Sequence, residues 1–298
     1  MKIFLTGKNG QVGWELQRSL ATLGDVIALD REKMDLTNPD SVRNVIRELK
    51  PDLIVNAAAY TAVDKAESEP DLAMAINGIA PGIMAEEAKR LNAAIVHYST
   101  DYVFDGTKTS AYTEDDTPNP LSVYGKTKLA GEQAIQATGV PHLILRTSWV
   151  YGARGKNFLL TILRLAKERD ELKIVDDQIG APTWSRMIAE STGQILAQRT
   201  SCLPETSGIY HLTSSGQTSW YGFSKSILES QLAESALAPT LAPHRYPRLV
   251  AIPTKEYPLP APRPQNSVMA HDKLNKVFGI SLPAWDKALK LCIEELPR

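Results

Sequence analysis

The chain opens on an apolar run, Lys2 to Thr6, that meets the glycine-spaced loop Gly7-Lys8-Asn9-Gly10-Gln11-Val12-Gly13 and passes straight into a helical pattern. No other stretch limits the fold as tightly. Gly7 permits a tight turn, Gly10 leaves the backbone open to a pyrophosphate, and Gly13 lets helix and strand pack closely. The helix that follows aims unpaired amides and the positive end of its dipole at the phosphates. A strand–loop–helix unit of this kind is expected at the carboxyl edge of a parallel sheet.

The rest of the first half agrees. Val26 to Leu29, Asp52 to Asn56, Ala94 to Tyr98 and His142 to Thr147 read as strands that are apolar on both faces. Helices are predicted from about Gln11 to Leu23, Pro39 to Leu49, Asp71 to Leu91 and Leu121 to Gln136. This alternation predicts an α/β fold, a doubly wound parallel Rossmann sheet covered on both sides. After Trp149 the texture changes. Helical patterns continue (Asn157 to Arg169, Ser185 to Gln198, Ser219 to Glu234, Ala284 to Leu296), but the stretch from Ala238 to Gln265 is crowded with prolines. Proline fixes φ and donates no amide, so this stretch is expected as extended loop. The division predicted is a dinucleotide-binding domain over 1–148 and a smaller substrate-binding α/β region over 149–298, with a segment near 178–212 returning to the first domain.

Charge narrows the partners. Thirty-three Lys+Arg against thirty-four Asp+Glu leave a net charge of −1, so no global positive field is available to hold a nucleic acid. No apolar run reaches the ~18 residues that a membrane span requires, and the apolar stretch before Gly7 is too short for a signal core. A cytoplasmic protein without a membrane partner is expected. Cys202 and Cys292 stand far apart, which fits a reduced compartment. The histidines (His97, His142, His211, His244, His271) include no pair at helical ligand spacing, so they suggest no metal centre.

Tyr124 and Lys128 lie four residues apart, a spacing that puts both on one face of a predicted helix. A free tyrosine, with a pKa of about 10, is a poor acid–base catalyst at neutral pH. A neighbouring ammonium favours the phenolate and moves it toward the working range. Ser99-Thr100 follows the fourth strand, where Thr100 can hydrogen-bond the substrate oxygen that Tyr124 protonates. With the phosphate loop, these residues form an acid–base set for hydride transfer between a nicotinamide and a carbonyl. At the adenosine end, Asp30 suits the ribose hydroxyls of NADH, whereas Arg31 suits the 2′-phosphate of NADPH; both cofactors stay open. Asp35 and Leu36 are placed to flank the adenine, although Asp35 reads equally well as a helix-start residue.

Five further runs sharpen this reading: NAAAYTAVDKAESEP (56–70), HYSTDYVFDG (97–106), PLSVYGKTKLAGE (120–132), RTSWVYG (146–152) and DQIGAPT (177–183). With the glycine loop and the tyrosine–lysine pair, they resemble the extended short-chain dehydrogenase/reductase family along essentially the whole chain. Within that family they are most similar to its nucleotide-sugar 4-ketoreductases. The resemblance implies hydride delivery from NADPH or NADH to C4 of dTDP-4-dehydro-L-rhamnose, in the synthesis of a polysaccharide precursor. It implies Tyr124 as the proton donor, Lys128 as its electrostatic partner and holder of the nicotinamide ribose, and Thr100 as a tuning hydrogen bond. It places Gly10, Gln11 and Val12 at the pyrophosphate and Asp30, Asp35 and Leu36 around the adenosine. Ala59, Tyr60, Thr61 and Tyr98 would line the cofactor, and Thr100, Asp101, Trp149, Asn157 and Arg263 would meet the sugar nucleotide.

Two departures from related patterns carry weight. Sugar-nucleotide 4,6-dehydratases have an Asp-Glu pair after the threonine; here Asp101-Tyr102 lacks the glutamate that eliminates water, which favours simple reduction. Some reductases of the family join two subunits through Mg2+ held by glutamates. Glu15 matches one such position, but Arg186 stands at another, and a cation repels the metal. No bridging Mg2+ is therefore expected, and the chain is expected as a monomer or weak homodimer. Two alternatives stay open: a nucleotide-sugar epimerase, and a non-catalytic dinucleotide-binding regulatory subunit of a methionine adenosyltransferase, because fold alone does not fix function. The joint presence of Tyr124, Lys128 and Thr100 favours catalysis.

Overall fold

A computed structural model describes residues 1–199, 203–237 and 247–296; Cys202, His244 and residues 238–246 of the proline-rich stretch lie outside them. Six parallel strands make the central sheet: β1 (Lys2–Thr6), β2 (Asp25–Leu29), β3 (Leu53–Asn56), β4 (Ala94–Thr100), β5 (His142–Thr147) and β6 (Gly208–His211). Their order is β2-β1-β3-β4-β5-β6. The chain runs outward from β1 to β2, then returns to lay β3 on the other side of β1. That reversal opens a crevice at the carboxyl ends of β1 and β3.

Both faces of the sheet are buried, which explains the near-continuous apolar strands. In β1, Ile3 and Leu5 point into one core and Phe4 into the other. The first core lies under α1 (Gln11–Ser19). The second lies under α2 (Pro39–Leu49), α3 (Ala80–Arg90) and α4 (Val123–Thr138). Local signals set the ends of these helices: Asn38 accepts from the amides of Asp40 and Ser41 ahead of α2, and Gly139, at φ +67°, ends α4. Of the later helices, α5 (Phe158–Glu168), α7 (Trp220–Leu237) and α8 (Trp285–Glu294) gather around Tyr151, Phe223 and Leu289 in a third core, whereas α6 (Ser185–Arg199) packs back against α1.

Three elements differ from the sequence expectation. The helix expected over 71–91 is three pieces, Pro70–Met74, a π-helical turn at Ala75–Ile79, and α3. The wide turn brings Asn77 inward, where its side chain holds both backbone groups of Tyr60. The proline-rich stretch contains a regular strand, Arg248–Ile252, paired in parallel with Glu171–Val175. Pro247 and Pro253 bound that strand without interrupting its ladder, so the expectation of extended loop fails over Arg248–Ile252. The helix expected to run to Leu23 ends at Ser19.

A fully buried ion pair ties α4 to the sheet. Arg146 of β5 donates from Nε and Nη2 to the two carboxylate oxygens of Glu132, at 2.9 and 2.7 Å, and both side chains are nearly inaccessible. Because α4 also carries Tyr124 and Lys128, this pair holds the helix on which both candidate residues lie.

Candidate active site

At the crevice, the glycine loop is held by steric necessity. Gly7 has φ +73°, and a Cβ there would lie 2.8 Å from the backbone of Ala57 and Ala58. A Cβ on Gly13 would come within 2.1 Å of the Gly7 carbonyl oxygen. α1 begins after Gly10 with no side-chain cap, so its first amides, from Gln11 onward, keep their donors for a ligand. A cleft of about 1060 Å³ runs from this loop, past β2 and the segment after β3, to Ser99, Tyr124, Lys128 and Thr147.

At the adenosine end, Leu29, Asp30, Arg31, Asp35 and Leu36 line the cleft as expected. Lys8, which sequence reasoning passed over, is 3.0 Å from the Asp30 carboxylate. Together with Asn9 and the Glu32 amide, it keeps Asp30 below the usual carboxylate range. Asp35 faces the cleft but spends Oδ1 on the amide and hydroxyl of Thr37. The helix start itself is capped by Asn38, and Asp35 keeps Oδ2 free of Thr37. Along the middle, Ala59, Tyr60 and Thr61 form the wall; Tyr60 is steadied by Asn77 and by its own hydroxyl, which donates to Glu69 at 2.6 Å. Tyr98 reaches the cleft, but its hydroxyl is paired with Thr192 at 2.7 Å in the core, so its hydroxyl is turned away from a cofactor.

The candidate acid–base residues come from β4 and α4. Ser122 caps α4 by accepting from the Gly125 amide, and a Cβ on Gly125 would strike the Tyr102 carbonyl at 2.2 Å. The first turn, with Tyr124, is thereby pressed against the segment after β4, where Tyr102 meets the Tyr124 ring edge-on at 5.6 Å. Thr100 donates to Asp101 Oδ1 at 3.0 Å and lies beside the Tyr124 phenol, where it favours the ionised form. Burial wins over it, and the phenol is pushed up to about 12. Asp101, 2% exposed, is pushed up to about 6 by burial. Lys128, also 2% exposed, donates to the Tyr98 carbonyl at 2.5 Å, and burial brings its amine down to about 8. The expected lowering of Tyr124 is thus not found at rest, since burial of the phenol outweighs the groups around it.

On the substrate side, two candidates already have partners within the chain. Asn157 caps α5 through Leu160 and spends Nδ2 on Gln11, Gly152 and Arg154, leaving nothing for a phosphate. Arg263 grips Asp64 with both terminal nitrogens, at 2.6 and 2.7 Å, so its fork is occupied within the chain. Trp149 sits at φ +46°, a strained backbone for an indole. It stacks on Trp220 with centroids 3.5 Å apart and lies against Gly180. Glu15, the metal candidate, is paired with Arg186, which also reaches Glu295. Among the described residues, no group of three His, Cys, Asp or Glu converges.

These features fit a nicotinamide dinucleotide. The glycine cradle leaves room only for backbone, and the hydroxyls of Ser99 and Thr147, buried and without partners in the protein, line the far end of the cleft. Thr147 drew no notice in the sequence, because a threonine ending a strand carries no distinguishing signal.

Comparison with known proteins agrees. The family model for the RmlD substrate binding domain matches residues 1–298. A dTDP-4-dehydrorhamnose reductase of Burkholderia thailandensis is 53% identical over 99% of both chains. The structure of a reductase of that name from Clostridium acetobutylicum superposes with a TM-score of 0.90 at 38% identity, covering 99% of each chain. One from Bacillus anthracis, solved in complex with NADP, gives 0.87 at 34% identity over 99% of each chain. The glycine cradle, the Tyr124–Lys128 face beside Thr100 and these full-length similarities lead to one conclusion: the chain belongs to the dTDP-4-dehydrorhamnose reductase family.

Proposed function

We propose that the protein reduces dTDP-4-dehydro-L-rhamnose to dTDP-L-rhamnose with NADPH or NADH. One observation carries the reading: Tyr124 and Lys128 line the same cleft as the glycine loop, and Thr100 lies beside the Tyr124 phenol. Bound there, the reduced nicotinamide supplies a hydride to C4 of the sugar. Everything else falls to the chain. Thr100, beside the phenol, favours its ionised form, so it supports the phenolate left once Tyr124 has given its proton to the ketone oxygen. As hydride arrives, the C4 oxygen becomes an alkoxide, and an alcohol is a weaker acid than a phenol by several pKa units. Proton transfer from Tyr124 therefore runs downhill even from a phenol held near 12. Lys128 would hold the nicotinamide ribose from the cleft floor, while the first amides of α1 and the Gly10 backbone would hold the pyrophosphate.

Lys8 pairs with Asp30, and Arg31, which lines the cleft, brings a second cation near Asp35. A 2′-phosphate is therefore tolerated as well as a free hydroxyl, and both cofactors are accepted. The Glu15–Arg186 pair leaves Glu15 little charge for a bridging metal and fits a monomer or weak homodimer. No helix among the described residues is long and apolar enough to cross a membrane.

The test mixes the protein with NADPH and dTDP-4-dehydro-L-rhamnose. Reduced-nicotinamide absorbance should fall in step with the appearance of dTDP-L-rhamnose, and the same run with NADH reads the preference. Saturable NADPH binding without consumption would leave only a dinucleotide-binding protein.

A further inference from the structure

Behind Lys128 lies a row of buried polar side chains that the hydride-transfer reading does not use. The Thr6 hydroxyl donates to Asn56 Oδ1 at 2.7 Å, Asn56 Nδ2 meets His97 Nδ1 at 3.0 Å, and His97 Nε2 meets Lys128 Nζ at 3.2 Å. His97 is 1% exposed and Asn56 likewise. The row joins three adjacent strands, β1, β3 and β4, to α4 beneath the cleft.

Donor and acceptor roles along the row follow from one fixed point. The Ala58 amide can only donate, and it lies 3.3 Å from both Asn56 Oδ1 and the Thr6 hydroxyl oxygen. Asn56 accordingly presents its oxygen to Ala58 and Thr6 and its NH2 to His97. Nδ1 of His97 then accepts. A neutral imidazole carries one proton, so it sits on Nε2, facing the Lys128 amine. Burial and the nearby lysine both hold His97 well below its ordinary pKa, so the ring stays neutral. An N–H aimed at Nζ welcomes the lone pair of a free amine and opposes an ammonium.

We infer that His97 is a positioning residue of the reaction: its Nε2–H anchors the Lys128 amine on the cleft floor and weakens its hold on a proton, with Asn56 fixing the tautomer that does so. The inference rests on the reading that Lys128 serves hydride transfer. The other groups around the amine do not duplicate the effect. Tyr124 lies one turn earlier on α4, the Tyr98 carbonyl accepts from Nζ, and Glu132, one turn later, favours the ammonium but is itself paired with Arg146.

Two measurements on the full chain test this. In histidine-labelled wild-type protein, 15N NMR should find His97 protonated at Nε2 and bare at Nδ1 from neutral to alkaline pH; a proton on Nδ1 overturns the inference. In His97→Leu, the Lys128 13Cε titration should move upward by about one pH unit. Its kcat should fall by about ten-fold, with the alkaline limb of the pH profile displaced the same way, and NADPH affinity should change by less than about three-fold. A Lys128 midpoint and kcat that stay at wild-type values overturn the inference. If wild-type protein shows the predicted tautomer and the variant shifts the midpoint, yet neither turns over the sugar nucleotide, the positioning role stands and the catalytic reading fails.

Discussion

Replacing Tyr124 by Phe is expected to lower turnover by roughly 10²–10⁴-fold, the range a positioned general acid contributes, while NADPH binding stays near native. The two effects separate because the substitution removes one oxygen and leaves the rest of the cleft intact. The ring keeps its edge-on contact with Tyr102 at 5.6 Å, and the first turn of α4 keeps its Ser122 cap. The glycine loop that would hold the pyrophosphate belongs to another element, between β1 and α1. Thr100 survives but donates its proton to Asp101, so it is poorly arranged to protonate an alkoxide in place of the phenol. Initial rates and a fluorescence titration with NADPH measure the two quantities. A variant with near-native kcat would remove Tyr124 from the acid role.

Glu132→Leu is expected to destabilise the fold by about 3–5 kcal/mol, the usual cost of stripping one partner from a buried ion pair. Arg146 is among the largest fully buried side chains, and its Nη1 already lacks a partner. Without Glu132, its charge would be left in the core with the face of Phe104, 5.1 Å away, as consolation. Replacing both members, as Glu132→Leu with Arg146→Met, should recover much of the loss, because two apolar side chains leave no orphaned charge. Urea midpoints of the two variants measure this. A single variant within about 1 kcal/mol of wild type would mean that the pair contributes little.

The parts of the molecule that were legible in the sequence are those governed by local chemistry. Gly7, Gly10 and Gly13 could be read because only glycine tolerates the close approaches found at Gly7 and Gly13. The alternation of apolar strands and amphipathic helices gave the sheet, and the four-residue spacing of Tyr124 and Lys128 gave their common helix face. What stayed hidden depends on partners distant in the chain. Strand Arg248–Ile252 needed Glu171–Val175 beside it. Asn157 and Arg263 carry the right chemistry for phosphates, but Gln11 and Asp64 already engage them in the folded chain. His97 looked like one of five scattered histidines until β3 and β4 set it between Asn56 and Lys128. The pi-helical turn at Asn77 was hidden too, since its apolar spacing reads as continuous α-helix.

The most direct test of the account follows the transferred atom. NADPH carrying deuterium at C4 of its dihydropyridine ring, incubated with dTDP-4-dehydro-L-rhamnose and wild-type protein, should yield dTDP-L-rhamnose with deuterium on sugar C4 alone and oxidised cofactor in equal amount. Product with solvent hydrogen at C4, or cofactor that keeps its label beside unreduced ketone, would contradict it.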